Sequence, residues 1–129
     1  MPATRDRATL ALAGVLGVVG SLHFLLGDVV ESAVPRWVPG RRAMVYISGA
    51  LEVLCAVGLA RRQRWAPPLT VAVLLAIWPA NIQMALDAGS GRFTGIFDSP
   101  VLMWLRVPLQ VPLMWVAWRA RKAPPGRSR

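Results

Sequence analysis

Four long apolar stretches, each about 18 to 21 residues, alternate with short polar gaps along this chain. They cover residues 8–27, 43–60, 66–86 and 101–118, and each has about the length a helix needs to cross a bilayer core. The gaps are residues 28–42, 61–64 and 87–100. The first gap holds Pro35, Trp37, Pro39 and Gly40; its prolines stop a continuous helix, and its valines and Trp37 suit the membrane interface. A short surface or re-entrant helix and a plain loop both fit it. The second gap is so short that stretches two and three must be antiparallel neighbours. Pro67 and Pro68 fit the first turn of the third helix, whereas Pro79 interrupts it at depth and frees a backbone carbonyl one turn earlier. Gly14, Gly17, Gly20 and Ser21 would let another helix approach the first one closely.

The pattern predicts an all-α bundle of four transmembrane helices in a single domain over residues 1–118. Residues 119–129 are expected to be a basic, Pro-rich, disordered tail. The basic start and first apolar run also resemble a signal peptide. Against that, no small-x-small cleavage site followed by a soluble domain appears, and three further apolar runs follow.

Composition agrees with a membrane protein: 129 residues, 55% hydrophobic and 16% charged, with a mean hydropathy of +0.47. The net charge of +9 suggests nucleic acid at first sight, but the charges fall between apolar stretches and form no basic face, so no nucleic-acid partner is expected. With Cys55 as its one cysteine, the chain has no internal disulfide and no Cys-x-x-Cys redox pair.

Charge also sets an expected orientation. Arg5, Arg7, Arg61, Arg62, Arg64, Arg119, Arg121, Lys122, Arg127 and Arg129 fall on one side of a four-span chain. Arg36, Arg41, Arg42 and Arg92 fall on the other, offset by Asp28, Glu31, Asp87 and Asp98. Ten against four predicts that both termini are cytoplasmic. Arginine outnumbers lysine fourteen to one, a bias of GC-rich bacterial genomes, so the expected location is a bacterial plasma (inner) membrane.

The chemistry centres on Glu52, about 13 Å below the surface at which its stretch begins. A charge at that depth costs roughly 2.5–3.5 kcal/mol on insertion scales, so it needs a partner, a proton or a water-filled cavity. With His23, Asn81, Arg106 and Gln110 this carboxyl is expected to form one buried polar cluster, most of it in the outer half of the membrane with Glu52 and Gln110 nearest the midplane. Gln110 follows Arg106 on one helical face. Tyr46, Ser48 and Asn81 are candidates for hydrogen bonds between helices. Glu52 and Arg106 have two readings: an ion pair that fixes helix register, or a titrating carboxyl that relays protons or meets a ligand. A third has both side chains reaching interface water. His23 is either a packing residue or a ligand, and Cys55 a small buried side chain by default. No metal is expected, because only Glu52 and Cys55 could join His23 as ligands. Trp78, Trp104, Trp115 and Trp118 fit an interfacial belt or core better than quinone stacking. No Ser-His-Asp order, phosphate loop or carboxylate pair is present.

Five segments in order carry a family likeness. They are His23-Phe24, Val34-Pro35-Arg36-Trp37-Val38-Pro39, Val45-Tyr46-Ile47-Ser48-Gly49-Ala50-Leu51-Glu52, Trp78-Pro79-Ala80-Asn81-Ile82-Gln83-Met84-Ala85 and Arg106-Val107-Pro108-Leu109-Gln110. Over about residues 13–118 the chain resembles the DoxX-like family of small four-helix membrane proteins. It departs from that pattern at Gly27-Asp28, where the family often has a proline. The resemblance implies the four-helix topology. It also brings two functional associations, with a subunit of a membrane thiosulfate:quinone oxidoreductase and with assembly or chaperone-like membrane proteins. The leading expectation is a non-catalytic subunit or assembly factor, in contact with lipid and with a partner protein of a membrane complex. The alternative is an oxidoreductase component or carrier in which Glu52 and His23 handle protons for a lipophilic small molecule such as a quinone. No particular cofactor follows from the sequence.

Overall fold

A computed structural model describes residues 2–122, with side chains from Arg7 onward. Five α-helices account for most of it: α1 (Pro2–Leu25), α2 (Gly27–Ala33), α3 (Arg41–Ala60), α4 (Ala66–Asp87) and α5 (Pro100–Ala120). Four of them, all but α2, are long and apolar enough to cross a membrane.

The helix ends follow local chemistry. Pro2 opens α1, since a first-turn residue needs no amide hydrogen; with no breaker before residue 8, the helix starts ahead of the apolar run. The first gap forms a short helix, α2, which stops at Val34 because the residue before Pro35 is pushed out of helical conformation. Gly40 enters α3 in the left-handed region (φ 60°), bringing Arg41 and Arg42 into the first turn. Ser99 caps α5 by accepting from the Leu102 amide at 3.5 Å. That helix continues through Pro108 and Pro112 and ends at Ala120, two residues into the expected tail. The tail from residue 123 onward lies outside the described residues.

The α3–α4 reversal is tight. The Arg62 amide donates to the Leu59 carbonyl (3.1 Å) and the Gln63 amide to that of Gly58 (2.9 Å), a helix-ending motif whose left-handed position normally takes glycine. Arg62 occupies it with φ 55°. Left-handed conformation costs an L-residue about 1–2 kcal/mol.

The long helices form two close pairs, α1 with α3 and α4 with α5, joined by thinner α3–α4 and α1–α5 contacts. At the α1–α3 crossing a Cβ built on Gly49 would stand 2.6 Å from His23 Cβ and 2.9 Å from the Gly20 carbonyl oxygen. One built on Gly20 would meet the Gly49 oxygen at 2.8 Å. These two glycines allow near backbone contact. Gly17 faces Ala56 across the same seam, but Gly14 meets nothing and the Ser21 hydroxyl turns back to the Gly17 carbonyl at 2.6 Å. Only part of the expected small-residue face is therefore used, because one helix can cross another closely over only a turn or two.

One apolar core joins all four long helices through Leu12, Leu16, Cys55, Leu59, Leu74 and Ala117. A second, of Ala33, Met84, Ala85, Phe93 and Met103, sits beneath α2 and the 88–99 loop. Only 17% of the α5 span is buried, although it is largely apolar. So large an apolar exposure belongs against lipid or protein rather than water.

Substituting Gly49 by alanine is expected to destabilise the protein by about 1–3 kcal/mol, because the added methyl overlaps α1. Gly14→Ala should be neutral or gain up to about 1 kcal/mol from helix propensity. Thermal unfolding in mild detergent measures both; equal effects would place the close crossing elsewhere.

Candidate functional site: two polar clusters inside the bundle

The polar residues of the long helices divide into two groups. The first lies on the α1–α3 seam. Glu52 is 3% exposed, and its Oε2 is buried without a hydrogen-bond partner. His23 Nδ1 stands 3.8 Å from that oxygen and 2.7 Å from the Val19 carbonyl, one turn back on α1. A carbonyl only accepts, so Nδ1 carries the hydrogen and donates it there, which fixes the ring's orientation. The Gly20–Gly49 contact places the two side chains together, since His23 and Glu52 each follow one of these glycines by three residues. An unmet acceptor of this kind costs about 1–3 kcal/mol, more when charged; an incoming proton or a ligand's donor hydrogen would satisfy it.

The second group ties α4 to α5. Arg106 Nη2 donates to Asn81 Oδ1 (3.2 Å), Asn81 Nδ2 to Gln110 Oε1 (2.7 Å), and Gln110 Nε2 to the Leu74 carbonyl (2.8 Å). Arg106 Nη1 also approaches Met103 Sδ at 3.7 Å. In the opposite direction Trp78 Nε1 donates to the Val107 carbonyl at 3.0 Å. Leu74 stands five residues before Pro79 and Val107 five before Pro112. A proline lacks its own amide hydrogen and pushes on the carbonyl four residues earlier, so the helix opens there and neighbouring carbonyls turn outward. The acceptor used is thus Leu74, one residue before the carbonyl that Pro79 leaves without an amide donor.

Arg106 and Glu52 lie within electrostatic range, but they do not form the direct ion pair expected as one reading. The guanidinium is held on α5's own face by Asn81 and Met103, and the carboxylate's nearest charged or chargeable neighbour is His23. Ser48 does not reach another helix: its hydroxyl returns to the Val45 carbonyl at 3.0 Å, a common outcome for a serine inside a helix. Tyr46 sits apart from both groups. Its ring stacks on Phe24 (5.6 Å between centroids), and its hydroxyl accepts from Arg42 at 3.5 Å. Arg42 in turn pairs with Asp28 (3.2 Å) and Glu31 (3.8 Å) of α2. Cys55 is fully buried against Thr70. Among the described residues no three His, Cys, Asp or Glu side chains converge.

Two features escaped the sequence reading. The Trp78 stitch was signalled by an indole next to a helix-interior proline, and the Arg42–Tyr46 contact by their spacing of four on one helix.

The architecture is that of a multi-pass helical membrane protein, with polar side chains joined inside an apolar bundle. The chain belongs to a family described as a domain of unknown function (DUF8561), whose profile matches residues 12–121. Comparison with curated proteins and with solved structures finds no match.

Replacing Gln110 by leucine should destabilise the α4–α5 pair by about 1–2 kcal/mol, because the Leu74 carbonyl and Asn81 each lose a partner. Asn81→Ala should do the same, and the double variant should fall short of additivity by about 0.5 kcal/mol or more in a detergent unfolding cycle. Strict additivity would mean the two amides act separately.

Proposed function

We propose that this is a DoxX-like, non-catalytic subunit or assembly factor of a larger membrane complex, resident in a bacterial plasma membrane with both termini cytoplasmic. The observation that carries the reading is the Arg106–Asn81–Gln110–Leu74 chain. Arg106 Nη2, Asn81 Nδ2 and Gln110 Nε2 each meet an acceptor within the protein, so these groups hold α4 and α5 in one fixed arrangement. The pair then presents a rigid apolar face, with Val101, Leu105, Leu109 and Trp115 of α5 exposed, for lipid or for the helices of a partner. The five-segment resemblance agrees with this role by analogy of family.

One observation favours a second reading. Glu52 Oε2, buried and unpartnered beside His23, has the makings of a proton-handling contact for a lipophilic small molecule such as a quinone.

Gentle extraction separates the two readings. In the first, wild type brings down a defined polypeptide in fixed stoichiometry, and Gln110→Leu lowers accumulation and that partner together, while Glu52→Gln leaves both unchanged or shifts both. In the second, Glu52→Gln and His23→Ala accumulate normally but lose co-extracted quinone by about tenfold, roughly one hydrogen-bonded contact. Quinone loss without any stoichiometric polypeptide in wild type would end the subunit proposal.

Orientation has its own test. The native Cys55 is fully buried, so single cysteines report cleanly. Ser90→Cys should react with a membrane-impermeant maleimide in intact cells, and Gln63→Cys only after lysis. The reverse pattern would invert the topology.

A further inference from the structure

The end of the bundle where α1 begins, α3 turns into α4 and α5 finishes carries a groove of about 170 Å³. Leu59, Pro67 and Ala120 contribute its apolar surface, and Leu10 of α1, itself 55% exposed, borders it. Arg62, Arg64 and Arg121 bring guanidinium groups to the same groove. Beside it, Arg121 lies 3.5 Å over the Trp118 ring and Arg119 lies 4.2 Å over Trp115. Tryptophan with stacked arginine is the composition expected at the headgroup level of a bilayer. Of the chain's six acidic residues, only Asp6 belongs to the segments that meet at this end.

We propose that this groove binds the phosphate of an anionic phospholipid, with the acyl chains running outward over the exposed apolar faces of α1 and α5. Its size favours a headgroup over a larger guest, since clefts for drug-sized ligands hold about 300–1,000 Å³. Guanidinium forks suit phosphate oxygens, and Arg64 lies in the α3–α4 turn while Arg121 directly follows α5, so a phosphate between them would bridge that turn to the end of α5. The tight turn brings Arg64 within a few residues of Pro67, joining the cationic part of the groove to its apolar part. Arg62, in the left-handed position where glycine is usual, lines the groove beside Arg64 and Arg121. The proposal depends on membrane insertion and not on the subunit or proton-handling readings.

The test uses delipidated full-length protein in mild detergent, titrated with dioleoylphosphatidylglycerol or dioleoylphosphatidylcholine and read by native mass spectrometry. Wild type should retain one phosphatidylglycerol about 10- to 30-fold better than phosphatidylcholine. Arg64→Gln with Arg121→Gln should abolish that preference, whereas Arg36→Gln with Arg41→Gln, an equal charge loss at the opposite end, should leave it intact. Arg64→Lys with Arg121→Lys should keep most of it. A photoreactive phosphatidylglycerol should crosslink wild type at residues 9–10, 62–67 or 120–121, which locates the site even if a variant folds poorly. Equal retention of the two lipids would overturn the proposal, as would equal loss in both glutamine pairs or crosslinks elsewhere. Displacement of the lipid by excess inorganic phosphate would do so too, because it would assign the groove to free phosphate.

Discussion

A hydrogen-bonding group placed in an apolar interior must find its partner within the protein, and that requirement organises the α4–α5 half of this bundle. Prolines inside both helices open their backbones near mid-span. The structure meets the disturbance reciprocally, with Trp78 of α4 donating to a carbonyl of α5 and Gln110 of α5 donating to one of α4. Asn81 then links Gln110 to Arg106, so one continuous run of donors and acceptors joins backbone to guanidinium. Such bonds hold a helix pair together where water-driven burial is weak, each contributing about 1–2 kcal/mol or less.

The α1–α3 pair is built on a different principle. Its closeness comes from the missing side chains of Gly20 and Gly49, and its stability from the dispersion contacts that close approach permits. Tyr46 stacked on Phe24 closes the seam toward α2, where Arg42, Asp28 and Glu31 form an exposed charge cluster. Exposed pairs of this kind add little stability, so they bear on the placement of α2 more than on its energy. Between the two helix pairs sits the buried apolar core that contains Cys55 and Leu74.

Much of this was legible in the chain. Four apolar runs of crossing length gave the four long helices, three of them to within about two residues at each end, because hydropathy and prolines act locally; α1 alone starts six residues ahead of its run. The polar residues that would lie in the interior were legible for the same reason: an amide or a charge inside an apolar run is conspicuous. Which of them meet was not, since partner choice depends on helix rotation and crossing point, and those emerge only from packing. Ser48 shows the limit, being satisfied by its own helix, and Tyr46 shows another, since six residues from Glu52 along α3 is enough to carry it into a separate cluster. Arg106 was drawn to Asn81 rather than to Glu52 because a neutral amide oxygen on the adjacent helix fits the guanidinium without bringing the carboxylate across the bundle.

That last choice has an electrostatic result. Arg106 and Glu52 remain within electrostatic range of one another without contact between the two. A contact ion pair would have filled Oε2 and closed the matter; separation leaves the carboxylate open on the His23 side. At a given distance a Coulomb interaction is several-fold stronger at a protein's effective dielectric than in bulk water. A proton reaching Glu52 would therefore remove a charge that Arg106 faces, and Arg106 is bonded directly to the amide chain fastening α4 to α5. The site on one helix pair and the fastening of the other thus face each other across the bundle with no hydrogen bond between Glu52 and Arg106.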